Sequence, residues 1–149
     1  MSIEAVFKAV NSFRHAFVGE LTDSRQNQLT LLIEEGLVSD TETLTLTLGA
    51  RSFVSKVIDT APGSRRFLFR WPTYVAYLVT NELYGSRDSY ELFTGHLARI
   101  YKRSRLLDYL TANKIATDSY PGPLRHIGFV SENHIVDVVS TDEPTIELR

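Results

Sequence analysis

Residues 123–140, PLRHIGFVSENHIVDVVS, place two histidines and an aspartate in an otherwise apolar stretch with a short polar turn at its centre. Imidazole and carboxylate are the groups best suited to moving protons near neutral pH. Whether they can act together depends on which way each one points. Apolar residues alternate on both sides of Ser131-Glu132-Asn133-His134, which reads as a β-hairpin. A two-residue turn at Glu132-Asn133 pairs Ser131 with His134, Val130 with Ile135 and Phe129 with Val136, and a four-residue loop keeps the same register.

Parity then assigns the faces. Ile127, Phe129, Val136 and Val138 share one side, with Ser131 and His134 at the turn. His126, Gly128, Val130, Ile135, Asp137 and Val139 share the other. His126 and His134 therefore cannot hold one metal within this hairpin. His126 and Asp137 become diagonal neighbours, ~7–8 Å apart at the backbone. A carboxylate there can orient the imidazole, and a hydrolase or other acid–base enzyme could be built on the pair. The competing interpretation is a structural hydrogen bond that satisfies both groups under partial burial. It outweighs catalysis, because the chain has no G-x-S-x-G elbow, H-E-x-x-H, phosphate-binding loop or dinucleotide glycine motif.

A second cluster lies in RIYKRSR, residues 99–105. On a strand, Arg99, Tyr101 and Arg103 share a face, a basic–aromatic–basic arrangement that can stack on a ring and hold phosphates. Ser104 next offers an N-cap, and the start of a helix attracts anions. These residues, with Arg105, make the preferred expectation a small non-enzymatic binding or interaction domain for an acidic protein or anionic ligand. A solvated strand end that discourages edge pairing is the plainer alternative. A structural subunit with an uncovered sheet edge is a third. The sequence pI near 6.1 argues against a nucleic-acid partner. No cofactor or metal is implied, and the partner and oligomeric state are not specified.

The other polar and aromatic residues read as structure. Asp108 suits the first turn of a helix as a dipole partner. His96 has no partner identifiable in the sequence. Trp71 precedes Pro72 and is expected to anchor the core. Tyr74, Tyr77, Tyr84, Tyr90 and Tyr101 crowd the middle of the chain, where hydroxyls at a sheet rim are common.

Behind these clusters stand the elements that must position them. Ile3, Phe7, Val10, Phe13, Phe17 and Leu21 fall on helical spacing, so the periodicity predicts an amphipathic helix with His15 on its wet face. DSRQNQLTLLIEEGL predicts a second helix, capped by Asp23 or Ser24 and closed by Gly36. ETLTLTLG switches to a period of two and reads as a half-buried strand. Residues 50–59 fit helix or strand. FLFRWPTYVAYLVTNELY reads as two strands, or one bent strand, broken at Pro72. YELFTGHLARIYKRS favours strand over helix. RLLDYLTANKIA reads as a helix, DSYPGPLR as an irregular connection, and TDEPTIELR as a short edge strand. The expected fold is one α+β domain over residues 1–149. N-terminal helices pack on a mainly antiparallel sheet, one helix is inserted between strands, and a hairpin lies near the C-terminus.

Bulk properties agree with this class. At 149 residues, 43% hydrophobic and 23% charged, the chain matches an average globular domain. No apolar run approaches the ~18 residues of a membrane-spanning helix. No secretory leader is evident, and cysteine is absent, so a cytoplasmic location is the expectation. Charge is uneven. Residues 1–50 hold three basic and seven acidic side chains, residues 51–105 ten and four, and residues 106–149 three and seven. Mutual neutralisation on folding is the simpler consequence, ahead of a dedicated basic patch.

Overall fold

A computed structural model describes residues 1–113 and 122–149. Most of it is antiparallel sheet, with two α-helices among the described residues. In chain order the elements are α1 (Ile3–Asn11), β1 (His15–Asp23), β2 (Leu29–Leu48), β3 (Arg51–Asp59), β4 (Arg66–Trp71), β5 (Ala76–Asn81), β6 (Leu92–Gly95), β7 (Ala98–Arg103), α2 (Arg105–Asn113), β8 (Arg125–Val130), β9 (His134–Ser140) and β10 (Thr145–Leu148). One sheet runs β1-β2-β4-β10, with β3 paired to the far part of β2. The other runs β5-β9-β8-β7-β6.

The two sheets face each other across one hydrophobic core. Leu29, Leu31 and Ile33 of β2 pair with Trp71, Phe69 and Phe67 of β4, and all six are buried. Opposite them lie Ile127, Phe129, Val136 and Val138 of the β8–β9 hairpin. Phe69 meets Phe129 at 4.8 Å between ring centroids, and Phe7 of α1 touches both at 6.3 and 5.8 Å. Such aromatic pairs contribute about 0.5–1.5 kcal/mol each beyond the area they bury. Trp71 is in this cluster, as expected.

Several sequence expectations need correction. The first helix stops at Asn11, with Ser12 at its C-cap, and Phe13, Phe17 and Leu21 belong to the turn and to β1. His15 opens that strand, and its Nδ1 lies 2.7 Å from Glu132 Oε1. The expected second helix is absent. Residues 24–28 form a turn, with Asn27 in the left-handed region and Ser24 Oγ accepting from the Gln26 and Gln28 N–H groups, and Leu29 begins β2. Both Leu31 and Leu32 are apolar, so the segment fits a helical stripe and a strand equally well. The sheet partner decides, because β4 offers a matching apolar face.

Residues 50–59 are strand, and Pro72 separates β4 from β5, which stops at Asn81, short of the expected Tyr84: the Asn81 side chain accepts from the Leu83 N–H and turns Glu82–Tyr84 into a 3-10 helix. Residues 92–103 are two strands of a hairpin. Asn11 secures its turn: Oδ1 accepts from the His96, Leu97 and Ala98 N–H groups, and Nδ2 donates to Ala98 O. The inserted helix follows Ser104, and β10 forms an edge beside β4. The expected helix end at 114–116 lies outside the described residues, as do residues 118–121 of the irregular connection 118–125.

Candidate functional site

The β8–β9 register matches the parity argument: Val130 faces Ile135, Phe129 faces Val136 and Gly128 faces Asp137. Ser131 N–H donates to His134 O across the turn. Asn133 docks the hairpin tip on β1 through paired hydrogen bonds with the Val18 backbone, which ties the two sheets together.

On the outer face of the hairpin His126 Nε2 lies 2.8 Å from Asp137 Oδ1. Its Nδ1 lies 2.7 Å from the hydroxyl of Ser104. Ser104 caps α2 by accepting the Leu107 N–H at 3.1 Å, so its own proton is free to be donated to Nδ1. Nε2–H then donates to Asp137. Tyr101, directly opposite His126 across β7 and β8, stacks on the imidazole at 3.9 Å with the rings 6° from parallel. Burial pushes the Tyr101 phenol up, against the opposing pull of Arg99. Two clusters that were separate in sequence therefore form one network.

A serine, a histidine and an aspartate in line suggest a hydrolytic triad, but access is missing. Ser104 is 0% exposed and His126 2%. Both imidazole nitrogens are already bonded, and the serine spends its proton on the ring and a lone pair on the helix. A pocket of about 190 Å³ reaches His126 between Ile3, Ile100 and Tyr101. It meets a ring with no free nitrogen. The arrangement holds α2 to the sheet by a fully satisfied buried polar network.

The arginines are also committed. Arg103 Nε donates to Tyr90 O, and its guanidinium lies 4.6 Å from the Tyr90 ring centroid. Arg105 covers the same ring at 4.4 Å and pairs with Asp88 at 2.9 Å. The Tyr90 hydroxyl donates to Asp108, which accounts for that aspartate. The Arg105 N–H at the helix start donates to Glu91. The chain's own carboxylates thus occupy the positive end of α2. Arg99 rests over Phe93 at 4.2 Å and lines an open pocket of about 380 Å³ with Arg87, Glu91, Tyr101 and Asp137. That pocket mixes both signs of charge.

His96 contributes its backbone to the Asn11 bond and to Arg99. Among the described residues no group of three His, Asp or Glu side chains is placed to hold a metal ion, and no helix is long and apolar enough to cross a membrane.

The feature that sequence reasoning missed is on β2 and β3. Strand β2 leaves β4 after Glu34 and β1 after Gly36, and from Leu37 onward it pairs with β3 alone. β2 spends four residues, 39–42, in an irregularity opposite Val57, so the nine residues of β3 at ~3.3 Å each set the arm's reach, on the order of 30 Å. Gly49, at φ +61, with Ala50 makes the tight turn at its tip. Leu46 faces Phe53, Leu44 faces Ser55 and Leu48 faces Arg51, so one side of the arm carries Leu44, Leu46, Leu48 and Phe53, with Arg51 at the tip end and Ser55 toward the base. The other side carries Thr43, Thr45, Thr47, Ser52, Val54 and Lys56. Among the described residues nothing covers either side: Leu46 and Phe53 are about half exposed and Leu48 is 73% exposed. The strand expected at 44–48 is present, but its apolar face is not buried within the chain. The alternation of Leu and Thr was the available signal. No protein-family model, curated protein or solved structure matches this chain.

Proposed function

We propose that this chain is a non-enzymatic interaction module that engages a macromolecular partner through the β2–β3 arm. The uncovered Leu44, Leu46, Leu48 and Phe53 face supports this most directly. A two-stranded hairpin standing alone in water is marginally stable, and a contiguous apolar face on it marks a contact surface. Leu83 and Tyr84 are exposed elsewhere in the molecule, but on the arm Leu44, Leu46, Leu48 and Phe53 are exposed side by side on one face. A cytosolic setting belongs to the same proposal, supported by a chain that needs no disulfide.

An acidic partner on Arg103 and Arg105 is less well supported, because both side chains already clamp Tyr90 and its acidic neighbours. A hydrolase on His126 and Asp137 is less well supported again, since the ring nitrogens are bonded and buried. The test is size in extracts of cells that make the chain, cross-linked with formaldehyde before lysis so that reversible complexes survive dilution. Wild type is expected to run well above the 16.9 kDa monomer. Leu46→Lys with Phe53→Lys is expected to move it to monomer size. Equal sizes for the two would overturn the proposal.

A further inference from the structure

We propose that the occupant of the arm's apolar face is the same face of a second copy of this chain, the two arms running antiparallel about a two-fold axis. This rests on the arm being the docking element and adds the identity of its partner. The charges on the arm specify the pairing. Asp40, Glu42 and Asp59 sit at its base, whereas Arg51 is the single charged residue between Thr43 and Ser55, at the tip. Lys56 approaches Asp40 only at 3.9 Å with both groups well exposed, too loose a contact to neutralise the base. Antiparallel alignment sets the basic tip of each copy beside the acidic base of the other. Parallel alignment would bring like charges together, which disfavours it.

The alignment also fixes what lies at the axis. Arg51 is opposite Leu48, so placing the tip beside residues 40–42 of the other arm centres the contact near residue 45. Leu44 and Leu46 of one copy then meet Leu46 and Leu44 of the other, with Phe53 beside them. This face is about 20 Å long and two strands wide, below the ~800 Å² per partner of a standard interface. The association is therefore reversible and dependent on concentration.

The experiment uses the purified full chain. Sedimentation velocity into the high micromolar range should move the average mass from 16.9 kDa toward twice that value. Phe53→Lys should hold it at the monomer. Arg51→Glu should weaken dimerisation by about tenfold or more, and adding Asp40→Lys with Glu42→Lys to it should restore pairing. Because the chain has no cysteine, Leu46→Cys and Thr45→Cys each give one reactive thiol, and a short bismaleimide should join the first and spare the second. A chain that stays monomeric, or equal cross-linking at both positions, overturns self-association. If the extract complex still depends on Leu46 and Phe53 in that case, the arm docks on a different protein and the functional proposal stands.

Discussion

His126 and Asp137 stand two positions out of register across β8 and β9, yet the imidazole Nε2 meets the carboxylate Oδ1 at 2.8 Å. The diagonal closes because Gly128, opposite Asp137, has no side chain. A Cβ there would lie 2.8 Å from Asp137 Oδ1 and 2.9 Å from Tyr101 Cε2. One glycine therefore makes room both for the carboxylate and for the ring stacked on His126.

Gly128→Ala is accordingly expected to destabilise the fold by about 1–3 kcal/mol, the cost of overpacking a filled site. Alanine at an unobstructed strand position would act the other way, by removing the entropic cost of glycine. Denaturant unfolding reads the sign. A variant as stable as wild type would show that carboxylate and ring yield freely.

Ser104→Ala removes the N-cap of α2 and the donor to His126 Nδ1 together. The expected loss is about 1–3 kcal/mol, read from the unfolding midpoint. A fluorophosphonate probe should leave wild-type Ser104 unlabelled, because the hydroxyl is sealed. Stoichiometric labelling there would revive the hydrolase.

Asn11→Ala should cost at least about 2 kcal/mol, because it strips the acceptor from three backbone N–H groups. Hydrogen exchange should quicken first at residues 96–98. Unchanged exchange at those amides would mean that the turn holds without Asn11.

Tyr74 donates to Asp23 Oδ2 at 2.7 Å. That hydrogen bond, then burial and the charge on Asp23, push its phenol from 10.0 up to about 12. The folded value is the higher one, so the contribution to stability is fully present below pH 10.0 and is lost as pH rises toward 12. Tyr77, Tyr90 and Tyr101 are also pushed up, so the reading is the difference in tyrosinate absorbance between wild type and Tyr74→Phe, which should develop only toward pH 12. Asp23→Asn should bring it back toward 10.0. A Tyr74 that titrates normally in wild type would remove the bond.

The C-terminal hairpin was legible in the sequence because its two strands have one apolar face each and a turn of fixed length, so parity alone sets who faces whom. The second expected helix was not, because adjacent leucines at 31 and 32 satisfy both periods until β4 chooses between them. The bond from Ser104 to His126 was hidden by the 22 residues that separate them. It forms only once α2 starts beside β8, and nothing local records that meeting. The Leu–Thr alternation at 43–48 correctly implied a strand with one apolar face. Alternation encodes that a face is to be covered and is silent on whether the cover comes from the same chain.

The most direct test of the account places a photo-activatable side chain at Leu46 or at Thr45, neighbours on opposite faces of the arm, in cells that make the protein. Illumination should give discrete adducts from position 46 and little from position 45. Equal adducts from both, or none from either, would contradict the claim that the apolar face of the arm is the working surface of this molecule.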